Sequence, residues 1–403
     1  MSTTITLNTK EFSSMLSKAS KCSTKGGVAI IAELIEIKLV NGVLSLRTTD
    51  TRNTMILRKS GIEGADFAAV INIGVFEKIV SKTTKENIQL TVDDKCVELK
   101  GNGSYKFELA IEGDTPVQFE PLMLIQQPEI KEELSLQTMK DVVKYCAAFV
   151  GSPFVDPTVS GYYFNARGAI TSDSYAACFY NKPLFHQPMM LYASTMELIS
   201  SWDDEKVVFL KSGNQIQFYS NTGLLSTTVH PHIDDFPADG LSDFLTMDYA
   251  AKVGVSIKAA QESLDRVGLF INDKAGNGSI MASFEDSGLA LSDKGGNADE
   301  RLPYVEGSCY SPFLCQISAP DLSKVIDVDK SDNVVISYGN DTAIRVDFTD
   351  LVRVLALSED TIEGQDFGVV EDDTPAITPE APAASASAVD ASMGMPDMDS
   401  IQW

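Results

Sequence analysis

Three rows of lysine are the residues in this sequence whose type and spacing could do chemistry together. Lys18, Lys21 and Lys25 stand three and four apart, as Lys78, Lys82 and Lys85 do in the reverse order, and Lys140 and Lys144 stand four apart. At 3.6 residues per turn each row shares one helix face. Each also lies opposite an apolar face: Phe12, Met15, Leu16 and Ala19 for the first, Val75 and Ile79 for the second, Met139 and Val143 for the third. A single lysine row is an ordinary solvated face. Three of them, brought to a common surface, would hold phosphates without reading bases. The helix expected near Ser194 to Trp202 carries no lysine or arginine.

The other reactive residue types offer less. The histidines are His186, His230 and His232; His230-Pro231-His232 reads as alternation along a strand, with both imidazoles on one face, but two ligands without a third make a poor metal site. There is no Gly-rich phosphate loop, no Gly-x-Ser-x-Gly elbow and no His-Glu-x-x-His pattern. The clusters Asp93-Asp94, Asp203-Asp204-Glu205 and Asp234-Asp235 fall at turns and helix ends and read as loop solvation. Cys22, Cys96, Cys146, Cys178, Cys309 and Cys315 contain no Cys-x-x-Cys pair and read as reduced, buried thiols, Cys309 and Cys315 as strand core. The expectation is a protein that is not an enzyme, with no metal and no cofactor.

The elements that would position the lysines follow from patterning. The chain has 403 residues, 44% apolar and 22% charged, enough for several domains, and it lacks the ~20-residue apolar run that crosses a bilayer. Met1 to Lys10 lacks the order of a signal peptide, so a cytoplasmic protein with no membrane partner is expected. The net charge of -25 is uneven: residues 1–120 hold 15 charges of each sign, whereas 359–403 hold 11 acidic residues and no basic one. From Glu359 the Pro/Ala/Ser-rich composition predicts a disordered acidic tail. Large apolar groups return at its end, where Met398, Ile401 and Trp403 read as a candidate short linear motif.

Before the tail, one order of elements occurs three times. Asn8 with Glu11 caps a helix, the strand Val43-Leu44-Ser45-Leu46 ends at Thr48-Thr49-Asp50, and a second helix over about Ile73 to Thr84 turns Val75, Phe76, Ile79 and Val80 inward. Strands then run over Asn87 to Val92, Cys96 to Leu99 and Tyr105 to Leu109. Asp173 lies 123 residues after Asp50, and Asn333-Val334 lies 127 after Lys206-Val207. A period near 120 suits an α+β protein of three repeated domains, 1–122, 123–246 and 247–358, followed by the tail 359–403.

With that order on the page, the chain resembles the bacterial β-type DNA sliding clamp, the processivity factor of the replicative polymerase. The likeness rests on the opening helix, Leu44-Ser45-Leu46-Arg47-Thr48-Thr49-Asp50, Asp234-Asp235-Phe236-Pro237, and Arg266 through Asn272-Asp273-Lys274. It implies two helices packed on antiparallel sheets in each domain, a head-to-tail homodimeric ring around double-stranded DNA bound without regard to sequence, and a DNA polymerase and a clamp loader as partners. The lysine rows would then face the DNA. Phe107 and Leu109 match the edge strand of the first domain, and Leu269 and Phe270 match the apolar residues that receive it. The family's pocket for partner peptides maps to Tyr175, Ala177, Phe244, Val354 and Ala356, where its usual Thr-Asp-Gly-His-Arg-Leu run reads Ser172-Asp173-Ser174-Tyr175-Ala176-Ala177. The rival reading is an α+β repeat scaffold that forms no ring and recruits partners through its acidic tail.

Overall fold

The computed structural model describes residues 2–24, 29–113, 115–271, 278–328 and 331–357. Lys25, the segment 272–277 and the tail with Met398, Ile401 and Trp403 lie outside them. Each of three repeats, Thr3–Glu108, Ile130–Thr228 and Ala251–Ala356, runs strand, helix, three strands, then strand, helix, three strands again. The first repeat carries helices α1 (Thr9–Lys21) and α2 (Ile73–Ser81), and the second α3 (Leu136–Cys146) and α4 (Ala193–Ser200). A short α5 (Ala238–Asp243) lies in the connection to the third, which carries α6 (Ile257–Gly268) and α7 (Ala319–Ile326).

Five of these seven helices, all but α4 and α5, begin where a strand ends on a capping side chain. Asn8 accepts from the amide of Glu11 at 3.1 Å, Asn72 from Gly74 at 2.9 Å, Ser135 from Thr138 at 3.2 Å, Ser256 from Ala259 at 3.4 Å and Ser318 from Asp321 at 3.3 Å. Each satisfies an amide that the first turn leaves free. α1 buries Phe12, Leu16 and Ala19; α2 buries Ile73, Phe76 and Val80. Val75, expected inside, is 59% exposed. The inward stripe of α2 is set by Ile73, Phe76 and Val80, three and four apart, and Val75 falls 100° ahead of Phe76. The helix also stops at Ser81, short of the expected Thr84.

Every half-repeat lends its first strand to the sheet of its sibling half, so each half-sheet ends on the last strand of its own half. In the first repeat Thr3–Asn8 lies beside Asn87–Val92, followed by Cys96–Lys100 and Ser104–Glu108, while Phe67–Asn72 lies beside Leu34–Val40, followed by Val43–Thr49 and Thr54–Ser60. The last strands then join neighbouring repeats. Thr54–Ser60 pairs with Gly223–Thr228, Leu57 opposite Gly223 and Thr54 opposite Ser226. Ala176–Tyr180 pairs with Leu351–Ala356, Ala177 opposite Val354 and Cys178 opposite Arg353. Two eight-stranded sheets result, each spanning a boundary between repeats, and a four-stranded sheet remains at either end of the series.

Side chains lock both seams. At the first, Asn53 is buried and donates to Asp50 at 2.7 Å and Ser194 at 3.1 Å while accepting from Thr195 at 2.7 Å, which ties a turn of the first repeat to the start of α4. At the second, the guanidinium of Arg353, 4% exposed, donates to the carbonyls of Lys324, Val325 and Asp327 at the end of α7 and of Tyr145 near the end of α3, at 2.6 to 3.3 Å. It also lies 4.8 Å from the Phe149 ring centroid. A cation is favoured at a helix C-terminus, and here one cation serves two.

Arg353→Met keeps the bulk and removes the donors, leaving buried carbonyls unpaired. The expected loss is about 2 to 4 kcal/mol, read as a lowered urea midpoint, and an unchanged midpoint would show that water replaces the guanidinium.

Candidate functional site

Of the lysines expected to act together, Lys18 and Lys21 are on α1, Lys78 on α2, and Lys140 and Lys144 on α3; the expected row of Lys78, Lys82 and Lys85 on one helix face is broken, because α2 ends at Ser81, Lys82 caps it and Lys85 lies beyond it. Lys21, Lys78, Lys82, Lys85 and Lys144 are exposed. Lys18 is half-buried and paired with Asp203, which lies in the next repeat just after α4; this ion pair lowers the affinity of the Asp203 carboxyl for its proton. Lys140 is half-buried and borders a cleft of about 630 Å³ shared with Glu133, Gln137, Asp203, Glu205 and Lys206. The cluster Asp203-Asp204-Glu205 therefore does more than solvate a loop: Asp203 takes Lys18, and Asp204 accepts from the Thr222 hydroxyl at 2.6 Å.

Among the described residues two last strands have no partner on their outer side, Ser104–Glu108 and Asp299–Leu302, each at the edge of a four-stranded sheet. On the first, Phe107 is half-buried with its ring 5.0 Å from Phe76 of α2, edge to face, Leu109 is half-buried, and Tyr105 is 37% exposed. On the second, Leu269 and Phe270, 83% and 53% exposed, follow α6, and Arg266 of the same turn holds Glu300 of the edge strand in a fork at 2.5 and 2.6 Å. Each open edge thus has large apolar side chains beside unpaired backbone, the composition of a pairing surface.

The residues matched to a partner pocket divide into floor and surface. Ala177 and Val354 are 3% and 2% exposed and belong to an apolar cluster with Ile170, Phe179 and Phe236, against which Phe244 and Leu245 pack from the α5 segment. Ala356 is half-buried and donates its amide to the Tyr175 carbonyl at 2.9 Å. Tyr175 is 64% exposed at the tip of a turn that Asp173 holds by accepting from the amides of Tyr175 and Ala176 at 3.1 and 2.8 Å. Beside it are two residues that sequence reasoning passed over, Phe154 and Val155, 97% and 81% exposed. The only sequence signal for them is an apolar pair inside the turn-rich run Gly151-Ser-Pro-Phe-Val-Asp-Pro.

Several residue-level expectations are corrected. His230 and His232 do not alternate along a strand, because the strand ends at Thr228. His230 is instead buried against Tyr192 and Ser160, 3.2 Å from the Ser160 hydroxyl, and burial lowers its pKa to about 4, so it stays neutral. His232 pairs with Asp235 at 2.9 Å, and no group of three or more metal-ligating side chains occurs among the described residues. Asp93 caps a turn by accepting from the amides of Lys95 and Cys96, both at 2.8 Å. Cys22, Cys146, Cys178 and Cys315 are buried, whereas Cys96 is half-buried and Cys309 exposed, since Cys309 lies in a connection bridged to Lys252 and not within a strand. Burial raises the Cys22 and Cys315 thiols to about 12.

Solved structures share this fold. The DNA polymerase III β subunit of Thermotoga maritima superposes with a TM-score of 0.76 at 14% identity, over 89% of this chain and 99% of that one. A sliding clamp of Bartonella birtlesii bound to griselimycin gives 0.76 at 16% identity over 89% and 100%. The DNA polymerase sliding clamp of Bacillus subtilis gives 0.75 at 12% over the same shares. No family profile and no curated protein sequence matches the chain. The chain has the sliding-clamp fold, and among the described residues no helix is long and apolar enough to cross a membrane.

Two truncations separate floor from surface at the partner region. Val354→Ala should lower stability by about 2 kcal/mol, whereas Tyr175→Ala should stay within about 0.5 kcal/mol of the parent in the same urea titration. Equal losses would mean that Tyr175 is a packing residue and not part of an accessible surface.

Proposed function

We propose that this protein is a DNA sliding clamp, a processivity factor without catalytic activity whose copies join head to tail into a closed ring around duplex DNA and tether a polymerase. The observation that carries the reading is the pair of unpaired last strands. Both boundaries inside the chain are closed by pairing the last strand of one repeat's first half with the last strand of the next repeat's second half. Repeating that rule between copies puts Asp299–Leu302 of one beside Ser104–Glu108 of another. A heterologous contact of this kind closes into a ring or grows into a filament. Sliding-clamp structures superpose on 89% of the chain at 12 to 16% identity, which favours the closed form.

In this reading residues 1–122, 123–246 and 247–358 are three clamp domains and the acidic segment 359–403 is an appendage. Two copies form the ring, with Phe107 and Leu109 meeting Leu269 and Phe270. Lys21, Lys78, Lys82, Lys85, Lys140 and Lys144 face the DNA, with Lys18 shared with Asp203. Retention comes from encirclement, so a sparse set of lysines in a chain of charge -25 is an advantage: dense phosphate contacts would resist sliding. A loader opens the ring in the cytoplasm, and the polymerase engages the surface between the second and third domains around Tyr175, Ala177, Phe244, Val354 and Ala356. The rival scaffold reading requires no closed assembly.

Mass separates the two readings. A closed dimer has twice the 43.7 kDa of the chain. Leu269→Asp puts a carboxylate on an exposed position, so the subunit should stay folded while the ring falls apart into monomers at micromolar concentration; Phe107→Asp should do the same with an added loss of stability, because Phe107 packs on Phe76. A wild type that is monomeric at all concentrations, or a Leu269→Asp variant that stays dimeric, would overturn this seam.

Retention tests the encirclement. Once loaded on nicked circular DNA, the protein should survive a wash at ~1 M salt and be lost when the DNA is linearised, whereas a surface binder leaves both forms alike. Changing Lys21, Lys78, Lys82 and Lys85 together to Glu should weaken loading and polymerase stimulation with an unchanged melting curve. Full stimulation by that variant would remove these lysines from the DNA face.

A further inference from the structure

We infer that the surface beside Tyr175 accepts a peptide that couples a large apolar anchor to basic flanking residues. The inference rests on the clamp reading and specifies the chemistry of the partner that the region between the second and third repeats would take.

The apolar half of the argument is exposure. Phe154, Val155 and Tyr175 are 97%, 81% and 64% exposed. They belong to one neighbourhood, since the Ser174 hydroxyl approaches the Asp156 carboxylate at 3.5 Å and joins the loop of Phe154 and Val155 to the turn of Tyr175. Neither segment is slack: Asp156 accepts from the amide and hydroxyl of Thr158 at 2.9 and 2.6 Å, and Asp173 holds the other turn. Aromatic groups carried on backbone turns that are already hydrogen-bonded leave less backbone to be ordered when a peptide anchor binds.

The charged half concerns the rim. The segment Val229–Ala250, whose Phe236, Phe244 and Leu245 cover the apolar cluster, carries Asp234, Asp235, Asp239, Asp243 and Asp248 and no lysine or arginine. Burial first, and then the charges of Asp239 and Asp234, raise the pKa of the Tyr163 phenol, whose ring is stacked on Phe236 at 4.7 Å. Hydrogen bonds from Thr158 hold Asp156 as a carboxylate below its ordinary range. Two nearby cations are already matched, while Arg167, exposed beside Ser242 and Leu245, is set against the five aspartates of the segment. Lys324 sits between Asp173 and Asp321, and Arg345 is held by Asp347 at 2.6 Å and by the Leu245 carbonyl at 2.7 Å. Carboxylates therefore outnumber free cations around the apolar surface, and an acidic peptide would meet like charge on approach.

The test uses the full chain and two short fluorescent peptides that share a Leu-Phe anchor, one flanked by lysines and one by glutamates, in an anisotropy titration. At ~50 mM salt the lysine peptide should bind at least about tenfold more tightly, and the ratio should shrink at ~300 mM. Asp156→Asn with Asp239→Asn should cut the ratio about threefold, and Phe154→Ser with Tyr175→Ala should weaken the lysine peptide about tenfold. The inference is overturned if the glutamate peptide binds equally well, if neither binds, or if the lysine peptide binds the Phe154/Tyr175 variant unchanged, which would mean attraction to the acidic protein as a whole. Retention on circular DNA, measured on the same preparation, keeps the two ideas apart. A retained clamp without the peptide preference loses only this inference; loss of retention sinks the clamp reading beneath it.

Discussion

A strand at the edge of a sheet presents a row of amides and carbonyls that must find partners in protein or in water. In this fold that constraint falls on the last strand of every half-repeat. Lending the first strand to the sibling half puts that strand at one rim of each half-sheet and the last strand at the other. The three repeats therefore present six such strands. Four are consumed in joining one repeat to the next, and the two that remain lie at opposite ends of the series. Everything proposed about assembly follows from this arithmetic of edges and from a similarity of fold at identities too low to carry function by themselves.

The two seams inside the chain obey the same backbone rule with different side chains. Asn53 at the first is a neutral hub for three polar partners, whereas Arg353 at the second is a buried cation that gathers carbonyls from the ends of two helices. Backbone pairing sets the geometry in both cases, and the side chains make each seam hard to part. Among the described residues the open edges show no comparable lock: Tyr105 with the half-buried Phe107 on one side, and the exposed Leu269 and Phe270 on the other, offer apolar surface. That contrast suits permanent joints inside a subunit and a separable one between subunits.

Much of this was legible in the sequence, and the misses have physical causes. Asn8 with Glu11, the apolar face of α1, the hairpin of Lys206–Ser212 with Gln215–Tyr219 and the near-120-residue period are local or periodic signals, and the structure follows them. Val75 departs from the expected inward position because adjacent apolar residues on a short helix leave its inward face ambiguous until the sheet beneath it is known. His230 leaves the expected strand because alternation continues in sequence beyond the point where the Asn214 and Met190 carbonyls take over the backbone bonds of Val229 and His230. Lys18 with Asp203 and the four carbonyls around Arg353 depend on residues far apart in the chain, and no local pattern announces them.

The lending of strands also governs the order in which the molecule can be completed on the ribosome. Thr3–Asn8 cannot be covered until Asn87–Val92 has emerged, and Thr54–Ser60 must wait for Gly223–Thr228. At ~5 to 20 residues per second the second wait lasts roughly 10 to 30 s, during which a bare sheet edge is available to any passing nascent chain. Arg58 and Lys59 sit on that strand. Charges at such positions are a deterrent to mispairing, so the interval in which the first repeat is folded but unjoined is guarded by the strand that later carries the seam.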